Sequence, residues 1–208
     1  METINKPTMT TEASEIAQAL KAGKVALVPT DTVYGLAASP LHPDAVAGIF
    51  RIKQRPQNVN LPIMVAEKAQ LEDLGLDVNK AAQTLLASSY MPGPMTLVLG
   101  FLENGTRPSW LEGRDEVAVR IPNSEFMLQV LREAGPALVT SANKHKSKIN
   151  MGVLSEVLND LEEYPPIASD GGVLRDTAST IVNCRKNPVV IEREGVVAKE
   201  QVFELLSA

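Results

Sequence analysis

Val25-Ala26-Leu27-Val28-Pro29-Thr30-Asp31-Thr32-Val33-Tyr34-Gly35-Leu36 decides the fold class. Val25–Val28 is a short apolar run stopped by a proline, which reads as a buried strand. The polar turn Pro29–Leu36 closes that strand. Upstream, Thr10 or Thr11 can cap a helix reaching about Ala22, with Ile16, Ala17 and Leu20 on one face and Gly23 as its stop. Downstream, Pro43-Asp44 opens a helix that carries Val46, Ile49, Phe50 and Ile52. Helix, strand, polar turn and helix in succession define an α/β alternation.

The alternation continues along the chain. Leu61–Val65 reads as a strand, and residues 67–90 hold two helical patterns broken near Gly75. Thr96–Phe101 and Glu116–Ile121 read as strands separated by a loop rich in Gly, Pro and Asn. Ser124 caps a helix to about Glu133, and Gly135-Pro136 turns the chain into a strand at Ala137–Thr140. A helix near 152–161, strands at 166–169, 179–183 and 188–192, and a helix from 198 complete the pattern. No internal repeat or low-complexity linker interrupts it. The expectation is an α/β fold with one twisted, open sheet of mixed direction and flanking helices, residues 1–208 forming a single domain.

Composition narrows the function classes. The 208 residues are 44% hydrophobic and 22% charged, which supports a substantial core. Aromatics make up 4% and the net charge is −5, which argues against base-stacking platforms and against affinity derived mainly from phosphate-backbone neutralisation. A single cysteine, Cys184, cannot form an intramolecular disulfide and fits a reducing compartment. Two histidines, His42 and His145, do not make a zinc constellation. Residues 1–20 lack an apolar signal core and no segment has membrane-spanning length, so the expected location is the cytoplasm, away from any membrane.

Three loops carry the chemistry. Lys53-Gln54-Arg55-Pro56 supplies a point charge and a planar fork, both suited to phosphate and carboxylate oxygens. Thr140-Ser141-Ala142-Asn143 follows an apolar strand and adds neutral donors; Pro29–Leu36 is a third polar strand end. Together they read as a site for an anionic ligand. Each also has a plain structural reading: Lys53 and Arg55 as a solvated pair at a helix C-terminus, Thr30–Thr32 as a tight turn, Ser141 and Asn143 as caps, Arg120 as a strand-surface residue.

Taken in order, Pro29–Leu36, Lys53-x-Arg55-Pro56, Pro92-Gly93-Pro94-Met95-Thr96-Leu97, Val117-Ala118-Val119-Arg120-Ile121-Pro122, Thr140–Asn143 and Ser179-Thr180-Ile181-Val182 resemble the YrdC-like family, over roughly residues 10–195. The resemblance implies the short, single-domain form of a nucleotidyltransferase that makes threonylcarbamoyl-AMP and pyrophosphate from ATP, bicarbonate and L-threonine. Mg²⁺ is carried by the triphosphate. The product feeds t6A37 modification of tRNA, completed by a separate transferase, so tRNA or that transferase complex is an implied partner. The resemblance assigns Lys53, Arg55, Ser141 and Asn143 to phosphates and carbamate, Thr32 and Ser179 to threonine, and Arg120 and Arg193 to the nucleotide side. Tyr34 is expected to wall the substrate pocket.

The chain departs from the family pattern in three places. Lys144-His145-Lys146-Ser147-Lys148 replaces a small residue and glycine, and is expected to flank the nucleotide pocket. Asn60-Leu61-Pro62 stands where a proline-led strand entry is common, and Met64 stands where histidine is frequent. Two rival readings follow: a double-stranded RNA or tRNA-binding module, or a paralogous carbamoyl or acyl-adenylate enzyme with a different acceptor.

Overall fold

A computed structural model describes residues 6–57 and 59–207. In chain order its elements are β1 (Thr8–Thr10), α1 (Ala13–Lys21), β2 (Ala26–Val28), β3 (Gly35–Ala38), α2 (Pro43–Ile52), β4 (Ile63–Met64), α3 (Ala69–Asp73), α4 (Lys80–Leu86) and β5 (Met95–Leu99). After a 3₁₀ turn at Ser109–Leu111 come β6 (Val117–Arg120), α5 (Glu125–Ala134), β7 (Ala137–Ser141), α6 (Leu154–Asp160), β8 (Ile167–Ser169), β9 (Thr180–Asn183), β10 (Val190–Arg193) and α7 (Lys199–Ser207). The strands form one sheet in the order β1-β8-β2-β3-β7-β4-β6-β5-β9-β10. Four neighbouring pairs are parallel (β1/β8, β2/β8, β4/β6 and β5/β9) and the rest antiparallel, so the sheet is mixed, as the alternation implied.

Side-chain alternation divides the core between the two faces. Leu27, Leu36, Ile63, Leu97, Val119 and Val182 pack with Ile49 and Ile52 of α2, Leu85 of α4 and Val202 of α7. On the opposite face, Ala26, Val28, Ala37, Ala137 and Val139 pack with Ile16, Ala17 and Leu20 of α1 and Met127, Val130 and Leu131 of α5. These two helices pack on each other and cover the β2–β3–β7 side of that face. The same face of β5, β6 and β9 carries Thr96, Val98, Ala118, Arg120 and Ile181, and these residues line a cavity instead of a core.

Several local expectations change. Neither Thr10 nor Thr11 caps α1: Glu12 occupies the N-cap position without a side-chain cap, while Thr10 Oγ1 accepts the Glu12 N–H at 3.0 Å and Thr10 itself ends β1. Gly23 does stop the helix, at φ +72°. Residues 35–38 leave the polar turn and form β3, antiparallel to both β2 and β7. Glycine suits position 35, where a Cβ would lie 2.9 Å from Val139 Cγ1 and 3.3 Å from the Thr140 carbonyl oxygen. Ser124 caps α5 as expected, accepting from Met127 N at 3.3 Å.

Candidate active site

The β2–β3 turn is held from within. Thr30 Oγ1 accepts the N–H groups of Thr32 (3.1 Å) and Val33 (3.2 Å) and donates to the Val33 carbonyl (2.7 Å). This fixes Thr32 so that its hydroxyl accepts from Arg120 Nη1 at 2.9 Å. Arg120 comes from β6 and is 5% exposed; its Nε donates to Gly93 O at 3.0 Å and its Nη2 to Asp31 Oδ1 at 2.7 Å. Three of five N–H groups are thereby engaged, leaving two for a ligand. Burial pushes the Arg120 pKa down, and the Asp31 carboxylate opposes that shift.

From β10, Arg193 donates through Nη2 to Ser179 O at 2.7 Å and through Nε to the same oxygen at 3.2 Å. Ser179 Oγ lies 2.8 Å from Thr96 Oγ1, so a hydroxyl pair sits beside the guanidinium. The Arg193 pKa is lowered by burial first and then by the Arg120 charge, which means the two cations feel each other across the site. Arg55 enters from beyond the end of α2. Its Nη1–Thr140 Oγ1 and Nη2–Asn60 O contacts are long, both 3.4 Å, and its buried Nε has no acceptor among the described residues. Thr30, Thr32, Arg55, Thr96, Arg120, Ser141, Ser179 and Arg193 all line one cavity of about 480 Å³, with Met64 in its wall.

Three expected site residues, Lys53, Asn143 and Tyr34, do not line the cavity. Lys53 and Arg55 follow a helix, not a strand, and Lys53 is 1% exposed, which rules out the solvated-pair reading for it. Its ammonium donates to the carbonyls of Ser141 and Asn143 (2.5 Å to the latter), with Asn143 Oδ1 at 3.4 Å. It therefore pins the Ser141–Asn143 loop instead of facing the cavity. Burial, and next the Arg55 charge, push its pKa down to about 7, opposed by Asp160. Asn143 accepts the Ser141 hydroxyl at 2.7 Å and donates to Ser147 O at 3.0 Å, orienting Ser141 from behind.

Tyr34 is fully buried and is not on the cavity wall. Its hydroxyl shares its one proton between Asp170 Oδ1 (3.0 Å) and Gly172 O (2.7 Å) and accepts from Gly171 N, tying down the Asp170–Gly172 turn. Burial raises its pKa to about 12, so the hydroxyl stays protonated as that bonding requires. Lys144, Lys146 and Lys148 do not line the cavity either; Lys144 pairs with Glu162 at 3.1 Å. Sequence reasoning missed Thr96 and Glu192. Thr96 had a signal, since it is the polar member of the otherwise apolar run Met95–Leu99.

Fold and cavity define a class: an α/β protein with an arginine-lined cavity on the part of a mixed sheet its helices leave bare. The comparisons make the class specific. The family model described as "Telomere recombination", covering the Sua5, YciO and YrdC proteins, matches residues 18–195, and the chain belongs to that family. It is 32% identical over 198 residues to the Bacillus subtilis threonylcarbamoyl-AMP synthase, covering 93% of this chain and 57% of the relative. It is likewise 32% identical to the solved structure of Pyrococcus abyssi Sua5 complexed with L-threonine, at a TM-score of 0.83, covering 98% of this chain and 61% of that one. Escherichia coli YciO, at 24% identity and a TM-score of 0.79, shares the fold. The chain spans a little over half the length of the first two of these relatives.

Proposed function

We propose that this chain makes threonylcarbamoyl-AMP and pyrophosphate from ATP, bicarbonate and L-threonine, the intermediate being passed to a separate transferase for tRNA modification. One observation carries the reading: three guanidinium groups, from Arg55, Arg120 and Arg193, converge with a row of hydroxyls on one cavity. The relatives named threonylcarbamoyl-AMP synthase, and the relative solved with L-threonine, support the choice of substrates.

In this reaction the threonine nitrogen bonds to the bicarbonate carbon with loss of water. A carbamate oxygen then bonds to the α-phosphorus and pyrophosphate leaves. Negative charge accumulates on the bridging and departing oxygens, where fixed donors lower the barrier most. Arg55 has the loosest tethers of the three arginines, so its guanidinium is available to the phosphates. Ser141 joins it as a neutral donor by turning its hydroxyl from Asn143 to the substrate, the residue itself being held through its carbonyl by Lys53. The hydroxyls of Thr32 and Ser179 orient threonine, and Arg120 and Arg193 hold the nucleotide side. Mg²⁺ enters with the triphosphate as part of the substrate, since the site motifs hold no dedicated carboxylate cage.

The test is direct. The purified protein is incubated with MgATP, labelled bicarbonate and a panel of amino acids, and labelled acyl-adenylate is separated. The expected result is product with threonine and little with the others. ATP-dependent product with another amino acid would assign a different acceptor, and none with any would overturn the synthase reading.

A further inference from the structure

The edge strand β10 is irregular where it meets the cavity. Ile191 pairs with Val182 and Arg193 pairs with Ile181, which leaves Glu192 as an extra residue in the ladder. Neighbours on a regular strand point to opposite faces, and a bulge re-aims one of them. Here both Glu192 and Arg193 line the same cavity. Glu192 is not loose: its Oε1 accepts from Asn183 Nδ2 at 2.6 Å, and Asn183 is 3% exposed and braced by the Arg185 N–H on its Oδ1 at 3.0 Å. Glu192 takes part in none of the ion pairs among the described residues, whereas the other cavity carboxylate, Glu116, is paired with Arg185.

Glu192 is exposed along the cavity wall, so its remaining lone pairs are reachable by a donor from a ligand. We propose that Glu192 accepts the hydroxyl groups of the nucleotide ribose, making the β10 edge the nucleoside end of the site. This rests on the synthase reading and says where its ATP lies. Position favours it: Arg55 and Ser141 stand beside β7, five strands from β10 in the sheet order, so the phosphate and nucleoside ends are separated. Charge favours it as well. Arg193 is adjacent to Glu192 and Arg120 lies close to Arg193, a field that repels an ammonium ion but tolerates neutral O–H donors. With Oε1 already accepting once, the carboxylate still has lone pairs on both oxygens, which matches two vicinal hydroxyls.

The experiment compares dissociation constants for MgATP and for 2′,3′-dideoxy-ATP with Mg²⁺, by calorimetric titration of wild type, Glu192→Ala and Glu192→Gln, alongside the acyl-adenylate assay. Wild type should bind ATP about tenfold or more tightly than the dideoxy analogue, as expected for a hydrogen bond to a charged acceptor. Glu192→Ala should bind both nucleotides equally, at the wild-type dideoxy level, and Glu192→Gln should fall between. Wild type without discrimination, or Glu192→Ala with discrimination intact, overturns this assignment even if acyl-adenylate still forms. A variant that raises the KM for threonine while leaving ATP binding unchanged also overturns it, by making Glu192 an ammonium acceptor. No binding of ATP by the wild type overturns the synthase reading itself.

Discussion

Lys53→Met separates the two opposing influences on the buried ammonium. Methionine fills a similar volume but carries no charge and no N–H. In the wild type, desolvation and then the Arg55 charge outweigh the Asp160 carboxylate and lower the pKa to about 7 from an ordinary 10.5. At about 1.4 kcal/mol per pH unit, that gap corresponds to roughly 4 to 5 kcal/mol of destabilisation at neutral pH. The substitution relieves this but deprives the Ser141 and Asn143 carbonyls of their donor, at about 1 to 3 kcal/mol for each unsatisfied acceptor. Near pH 7 the two effects nearly cancel.

The sign with pH is what distinguishes them. Between about pH 7 and 10.5 the unfolded chain holds a proton on Lys53 that the native state lacks, so raising the pH stabilises the native state. Urea unfolding of both proteins at pH 7 and pH 10 should show the wild type gaining stability relative to Lys53→Met, approaching roughly 4 kcal/mol, with contributions common to both cancelling. Parallel pH dependence in the two proteins would refute the reasoning, because it would mean that the carbonyl oxygens hold the ammonium at its ordinary pKa.

Arg55→Ala should lower acyl-adenylate turnover about a hundredfold or more, as loss of a transition-state donor does, while leaving the urea midpoint near wild type because its protein contacts are long. Asp31→Ala leaves the Arg120 guanidinium buried without its carboxylate, in a pair whose side chains are 5% and 10% exposed; a loss of about 3 to 5 kcal/mol in urea unfolding is expected. Lys146 adopts φ +67°, so Lys146→Gly should raise stability by up to about 1 kcal/mol, and an unchanged or lower melting temperature would contradict that. MgATP at a hundred times its Kd should stabilise the protein by about 2.7 kcal/mol in a thermal-shift measurement. Duplex RNA should give a smaller shift that fades as salt is raised, and a larger RNA shift beside none with MgATP would favour the nucleic-acid reading.

Much of the fold was legible because its signals are local. Ser124, Gly23 and Pro43 mark helix ends through chemistry that reaches a few residues. Strand β3 was not, for a definite reason: Gly-Leu-Ala-Ala has no β-branched residue, and burial on both faces removes the polar–apolar alternation that announces a strand. The Thr10–Thr11 cap failed because β1, only three residues long, claims Thr10 through pairing with Ile167–Ser169, far along the chain. In the site, Arg55, Arg120, Ser141, Ser179, Arg193 and Thr32 were named from the sequence and line one cavity. Lys53 was named for its charge, but spacing could not reveal acceptors 88 and 90 residues away. Glu192 was hidden by the bulge, since a regular strand places it opposite Arg193.

The site follows from an incomplete layer. Helices α1 and α5 cover one side of their face of the sheet, where the inward residues are Ala26, Val28, Ala37 and Ala137. Beyond them the same face presents Thr96 and Arg120, residues that would be costly beneath an apolar helix. Arg120 is tolerable there because Asp31, Thr32 and Gly93 accept three of its N–H groups. Those partners sit on the β2–β3 turn and the loop before β5, so the polar turn that first suggested a ligand is also what makes a buried cation stable. Removing Thr30, which organises that turn without offering its own charge, should therefore misplace Arg120: Thr30→Val should weaken MgATP binding while Thr30→Ser, which keeps the hydroxyl, largely restores it. Equal affinity in the two variants would show that the turn keeps its shape, and Arg120 its place, without that hydroxyl.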